Sequence, residues 1–209
     1  MNINSQVYLK AICKGDSSQN KIAITFDDGP NNKFTTNILK SLSKTNTKAA
    51  FFIIGKNIQG NETILKQTAD EGHIIGNHSF AHSFGYDFNN VEEFILDTEM
   101  AQRKIQAIIR TTPLLFRPPY GISTPKMGRA IKQLNLTTIG WSVRSMDTTL
   151  KRKDDLWAKV KSVKGGDIVL FHDSTPFMAE FLEEWIPQCQ QNGLEIVGLD
   201  ELLNIKCYA

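Results

Sequence analysis

Short apolar runs alternate with amphipathic stretches through almost the whole chain. The runs at residues 22–26, 49–54, 73–76, 114–116, 137–141, 168–171 and 194–197 have the length and continuity of strands covered on both faces. Between them, Phe34, Ile38, Leu39 and Leu42 recur at helical spacing, as do Ile64, Leu65 and Ala69, so each set predicts a helix with one buried face. A longer helical pattern runs from Val91 through Phe94, Ile95, Met100, Ile105 and Ile108 to Ile109, and Pro113 forbids its continuation. Further helices are predicted at 126–134, 154–163 and 177–191, with Pro187 expected to kink or shorten the last.

Strands alternating with helices imply βαβ units and a mainly parallel sheet. No Gly-rich phosphate loop follows the first strand, which favours a closed or nearly closed barrel over a dinucleotide-binding sheet. The predicted fold class is therefore α/β, a distorted (β/α) barrel of about seven parallel strands. No repeat, low-complexity tract or linker divides the sequence, so residues 1–209 are read as one domain with its motif-bearing core at about 22–203.

Composition narrows the function classes. Apolar content of 41% and charged content of 22% are ordinary for a soluble globular protein. A formal net charge of +2, with basic residues dispersed apart from residues 151–153, gives no reason to expect nucleic acid. Cys13, Cys189 and Cys207 lie far apart without Cys-x-x-Cys spacing; three separate thiols are expected, one bridged pair being the alternative. No run approaches the roughly 18 apolar residues of a membrane span, and residues 1–15 carry no signal-peptide pattern.

The chemistry-bearing residues fall just past the predicted strands, on the face where a parallel barrel gathers its active-site loops. Asp27 and Asp28 follow the first strand and run into Gly29-Pro30; His78 and His82 form a His-x-x-x-His pair after the third. Arg117 to Tyr120 follow the fourth, Trp141 and the segment to Asp147 the fifth, and His172 the sixth. Two imidazoles and a carboxylate make a three-ligand metal site with open positions, leaving a second carboxylate as base and a third imidazole as acid. Asp27 and Asp28 cannot both point the same way on a regular strand, so a turn at the strand end must let one coordinate while the other stays free. Each piece has a plainer reading: Asp-Asp-Gly-Pro is a common turn, and a His pair at helical spacing often faces solvent. Arg117 could pair with a carboxylate or be a surface ion pair, and two prolines are expected to hold an extended path that aims the Tyr120 N–H at an oxyanion. His73 is read as a structural hydrogen bond. Phe80, Phe84, Tyr86 and Phe88 are read as packing of their loop.

These residues resemble the polysaccharide deacetylases, the carbohydrate esterase family that includes nodulation-factor, chitin and peptidoglycan N-deacetylases. The matching motifs stand as Thr25-Phe26-Asp27-Asp28-Gly29, His78-Ser79-Phe80-Ala81-His82, Arg117-Pro118-Pro119-Tyr120 and Leu170-Phe171-His172. The resemblance implies that Asp28, His78 and His82 bind one divalent metal, usually zinc but sometimes cobalt or another ion. It also implies Asp27 as general base, His172 as general acid, Arg117 orienting Asp27, and the Tyr120 N–H holding the oxyanion. The fourth motif departs from the family's Asp-x-x-Asp-Trp: here Trp141-Ser142-Val143-Arg144-Ser145-Met146-Asp147-Thr148 puts Arg144 in place of the first acid and Thr148 in place of tryptophan. Asp147 would still orient His172, Pro118, Trp141 and Leu170 would contact the sugar, and stacking on sugar rings becomes the alternative to loop packing for Phe80, Phe84, Tyr86 and Phe88.

The expected activity is removal of N-acetyl groups from an N-acetylglucosamine-containing glycan, peptidoglycan or chitin-like. The expectation includes no organic cofactor, a monomer, and an extracytoplasmic place set by the implied substrate. O-acetyl-xylan esterase chemistry on the same core, a carbohydrate-binding barrel without turnover, and a non-haem iron oxygenase triad are the rivals.

Overall fold

Alternation along three strands decides what enters the barrel and what faces its helices. The computed structural model describes residues 9–209; residues 1–8, which open the stretch read above for a signal pattern, lie outside them. The strands are β1 (Ala11–Ile12), β2 (Lys21–Gly29), β3 (Ala50–Ile53), β4 (Ile74–Asn77), β5 (Leu115–Phe116), β6 (Thr137–Ile139), β7 (Val143–Arg144), β8 (Ile168–His172) and β9 (Glu195–Ile196). The helices are α1 (Phe34–Lys44), α2 (Glu62–Asp70), α3 (Val91–Ile109), α4 (Pro125–Gln133), α5 (Lys153–Val160), α6 (Met178–Gln191) and α7 (Leu199–Leu203).

On β2, Ile22, Ile24 and Phe26 join the cluster shared with α1 and α6, while Ala23 belongs to the inner cluster. On β3, Phe51 and Ile53 face out and Ala50 and Phe52 face in; on β8, Val169 and Phe171 face out and Ile168 and Leu170 face in. The period of two therefore carries Thr25 and Asp27, and likewise His172, to the inner side at the C-terminal end of the sheet.

All strand ladders among the described residues are parallel, in the order β1-β6-β5-β4-β3-β2-β8-β7, with β9 beside the start of β2. β6 and β7 are pieces of one stretch, parted only by residues 140–142, and they pair with β5 and β8 respectively. The sheet thus curls back onto itself, the distorted barrel expected from the sequence. All seven predicted strands are present. β1, β7 and α7 were not predicted; at two, two and five residues they are too short to show a period.

The helix boundaries follow local chemistry. Asn90 accepts from the Glu93 N–H while the Glu93 carboxylate accepts from the Asn90 N–H, a capping box that starts α3 where the apolar pattern begins. Thr124 caps α4 ahead of Pro125, whose missing N–H costs nothing at that position. Of the two effects expected of Pro187, shortening does not occur: α6 runs on to Gln191. A mid-helix proline costs about 3 kcal/mol. Phe181, Leu182, Trp185, Ile186 and Cys189, each worth roughly 1.5–3 kcal/mol when fully buried, more than offset it. The three cysteines are not bridged among the described residues, in line with the three separate thiols expected. Among the described residues, no helix is long and apolar enough to cross a membrane.

His73 sits buried just before β4, and its Nδ1 accepts the Ala49 N–H at 3.2 Å. Burial, with Lys48 nearby, pushes its pKa down to about 4, and protonation of Nδ1 would break that bond. An unfolded histidine takes up its proton near 6.5, so the unfolded state binds the extra proton between pH 6.5 and about 4 and stability must fall as pH drops through that window. The full loss expected is about 3 kcal/mol. His73→Asn keeps an acceptor in place of Nδ1 and removes the titration. Denaturant unfolding from pH 7 to 4 should give a shallower decline for the variant, and parallel curves would exclude His73 as the titrating group.

Candidate active site

Asp28, His78 and His82 converge although they come from two different strand ends. Alternation would send Asp28 outward after Phe26, but the β2–β3 register shifts between Asp27 and Gly29 and Asp28 takes φ +77°. That left-handed turn brings the Asp28 carboxylate to the barrel mouth beside Asp27. A side chain at Gly29 would put its Cβ 2.2 Å from the Asp173 carboxylate, so the turn has room for glycine alone.

His78 Nε2 lies 3.6 Å and His82 Nε2 3.4 Å from the same Asp28 oxygen. Ligand atoms around a tetrahedral zinc-like ion lie about 3.4 Å apart, so the spacing fits a metal ion, and the three residues could hold one. The His78 Nδ1–H donates to the Arg117 carbonyl at 2.7 Å, which leaves its Nε2 lone pair free for coordination. Burial and the neighbouring His78 lower the pKa of His82, favouring the neutral ring that a metal requires.

Asp27, almost fully buried, accepts from Arg117 Nη1 at 2.7 Å through one oxygen; the other lies 3.7 Å from His78 Nε2. Arg117 is fully buried and satisfied, donating also to Thr25 Oγ1 at 2.8 Å, the Gly140 carbonyl at 2.8 Å and the Ile139 carbonyl at 3.1 Å. Its guanidinium carbon lies 4.1 Å from the centre of the Phe52 ring. Arg117 is therefore a buried ion-pair partner, not a surface charge.

His172, the last residue of β8, donates from Nδ1 to Asp147 Oδ1 at 2.8 Å, leaving Nε2 available to the cavity it lines. Asp147 is buried and also accepts from the His172 N–H at 2.9 Å, Ser145 Oγ at 2.6 Å and Thr175 Oγ1 at 2.9 Å. Burial works against charging His172, but the bond to Asp147 and the attraction of Asp147, Asp27 and Asp28 outweigh it and raise its pKa. Burial likewise works against ionising Asp147, and its hydrogen bonds and the His172 charge bring its pKa below the ordinary value.

The cavity over these groups has a volume of about 270 Å³. Asp27, Asp28, His78, His82 and His172 line it, and Tyr120, Trp141, Leu170, Arg144 and Thr148 form its walls. Pro118 is buried and does not reach it, and the two prolines do not keep an extended path: Pro118 is extended, but Pro119–Gly121 is a single turn of 3₁₀ helix with Tyr120 at φ +57°. The Tyr120 ring leans on His82 with centroids 4.6 Å apart. A larger hollow of about 600 Å³ between α1 and α6 holds no comparable set of converging ligands. In the aromatic loop, Tyr86 packs edge-on against Phe94, but Phe84 and Phe88 are 99% and 82% exposed, so packing accounts for only part of that cluster.

Two supporting carboxylates were not found from the sequence. Asp97 on α3 accepts from the Phe80 and Ala81 N–H groups at 2.8 and 2.9 Å, clamping the loop between the two histidines. Asp173 accepts from Thr35 Oγ1 at 2.5 Å, and Thr35 accepts from the Asn31 N–H at 2.8 Å, which ties α1 to the loop after Asp28. Asp97 lies in mid-helix, and a solvated helix acid has the same local pattern; only the loop it faces gives it a role.

A sequence model of the polysaccharide deacetylase family matches residues 14–139. A peptidoglycan-N-acetylglucosamine deacetylase of Bacillus cereus is 33% identical over 198 residues, covering 88% of this chain and 89% of the relative. The crystal structure of a peptidoglycan N-acetylglucosamine deacetylase bound to a hydroxamate (an N-hydroxybenzamide) superposes with a TM-score of 0.89 at 28% identity, over 94% of each chain. A family 4 acetyl xylan esterase from Clostridium thermocellum, solved with a cobalt ion, gives a TM-score of 0.80 at 30% identity, over 87% of this chain and 89% of that one.

Arg117→Met leaves Asp27 buried without its partner and should cost about 3–5 kcal/mol in denaturant unfolding. Adding Asp27→Asn to that variant should recover much of the loss; a double variant no more stable than the single one would assign the cost to packing. Asp97→Ala should weaken divalent-ion affinity roughly 10–100-fold, read by equilibrium dialysis, whereas unchanged affinity would mean that the loop holds its shape without the clamp.

Proposed function

Because the chain belongs to the polysaccharide deacetylase family, we propose that it removes N-acetyl groups from N-acetylglucosamine units of a cell-envelope glycan, peptidoglycan in the first place, at a single divalent ion. The observation that carries this reading is the gathering, in one cavity, of a three-ligand set, a second carboxylate with one oxygen left free by Arg117, and a carboxylate-backed histidine. Asp28, His78 and His82 would hold the ion, zinc by its ligand chemistry and cobalt as an alternative. Such an ion polarises an acyl carbonyl and makes water more acidic.

The chain's own residues supply the rest. Arg117 occupies one oxygen of Asp27 and leaves the other to take a proton from the attacking water. Hydroxide adds to the acetyl carbon, and the Tyr120 N–H would donate to the developing oxyanion. His172, whose affinity for a proton Asp147 raises, gives its proton to the nitrogen; the C–N bond breaks, and acetate and a free amine leave. Trp141 and Leu170 provide the wall against which the sugar lies.

The similarity to an acetyl xylan esterase supports O-acetyl ester cleavage as a second reading on the same groups. An oxygenase has no use for a carboxylate-backed histidine and a second carboxylate beside the ligand set, and a binding barrel without turnover has no need to keep base, acid and ligand set together.

Acetate release from peptidoglycan and chitin oligomers, compared with release from acetylated xylan, tests the reading. Asp27→Asn and His172→Ala should each lose roughly 10²–10⁴-fold in rate and still retain metal by elemental analysis. Asp28→Ala, His78→Ala and His82→Ala should lose the metal itself. Near-normal turnover in Asp27→Asn or His172→Ala, or full occupancy in a ligand variant, would remove that residue from its role.

A further inference from the structure

The proposed deacetylation leaves one charged side chain in the cavity without a task. Arg144 ends β7, where alternation turns Val143 toward the outer core and Arg144 toward the cavity that holds Asp27 and His172. The other ionisable groups there already have partners: Asp27 has Arg117, His172 has Asp147, and Asp28 sits beside the two histidines with which it would share a metal ion. The Arg144 side chain is exposed and makes no hydrogen bond or ion pair among the described residues; its guanidinium carbon lies 6.0 Å from the centre of the Trp141 ring. An indole at that distance restricts the guanidinium without using up its donors. Beside it Thr148, small and exposed, leaves the rim open to a bulky substituent.

We propose that Arg144 is a specificity residue that pairs with a carboxylate carried by the glycan, so that the site selects an acidic N-acetylated polysaccharide over a neutral one. This rests on the deacetylase reading above and adds the charge of its substrate. A guanidinium offers two parallel N–H donors that match a carboxylate, and a charge-assisted pair of this kind is short and directional. The carboxylate can belong to an ether substituent on the sugar, such as the lactyl group of N-acetylmuramic acid, or to a peptide attached there. Both present the same anion to the rim.

Three oligomers of equal length test this: one alternating N-acetylglucosamine with N-acetylmuramic acid, its lactyl amide, and one whose lactyl groups are capped by a peptide with its own carboxylates. For each, binding is measured by calorimetry and kcat/KM by acetate release. The wild-type protein should favour the free acid over the amide about tenfold, which is about 1.4 kcal/mol. That ratio should fall to near one in Arg144→Gln, persist in large part in Arg144→Lys, and shrink as salt is raised. A capped oligomer that matches the free acid assigns the pairing to the peptide carboxylates; one that matches the amide assigns it to the sugar. Equal affinity of the wild-type protein for acid and amide, or a ratio unchanged in Arg144→Gln, overturns the proposal. Failure to release acetate from any of the three oligomers overturns the deacetylase reading instead, and the binding ratios still decide the role of Arg144.

Discussion

The buried pair between Arg117 and Asp27 is the constraint around which the site is built. A guanidinium with no solvent exposure carries a desolvation penalty of several kcal/mol, tolerable only if its donors are satisfied and its charge is matched. Asp27 matches the charge, and Thr25 and the Ile139 and Gly140 carbonyls take the remaining donors, so one side chain ties together β2, β5 and the end of β6. The same residue's carbonyl accepts the His78 Nδ1–H. Arg117 thereby sets the orientation of the proposed base through its side chain and of a proposed metal ligand through its backbone.

Rigid strands supply these anchors, and strained turns aim them. Among the described non-glycine residues at positive φ, three are asparagines, which tolerate that region, and Arg110 ends a helix. The other five, Asp28, Ser79, His82, Tyr120 and Met146, all lie in the loops around the cavity. Each costs of order 1–3 kcal/mol, and the costs are met by clamps such as Asp97 on the histidine loop and the Thr35–Asp173 bond beneath the Asp28 turn. Strain at these positions separates Asp28 from Asp27 in direction, so that one carboxylate can bind while its neighbour keeps a free oxygen.

The two buried carboxylates beside ionisable partners have opposite duties. Asp27 is locked through one oxygen to a permanent cation, and its other oxygen is left for the proton transfer proposed above. Asp147 is locked to a titratable ring and, with the help of two hydroxyl donors, raises the ring's affinity for a proton. Asp27 and His172 are register partners on the adjacent strands β2 and β8, so the proposed base and the proposed acid open onto the same cavity, as general acid–base hydrolysis of an amide requires.

Much of this was written in local sequence. Apolar continuity marked the seven main strands, spacing marked six helices, and Asp27, Asp28, His78, His82 and His172 stood at strand ends where chemistry collects, because strand and helix periods and turn residues act over a few positions. Asp97, Asp173 and Thr35 carried no such mark, the exposure of Phe84 and Phe88 and the burial of Pro118 could not be foreseen, and the unpaired state of Arg144 emerged only when its neighbours were known. Those features depend on which distant segments the curled sheet brings within a few ångströms. Periodicity tells a chain which face to bury, whereas hydrogen bonds and charges are decided by the neighbours that burial brings.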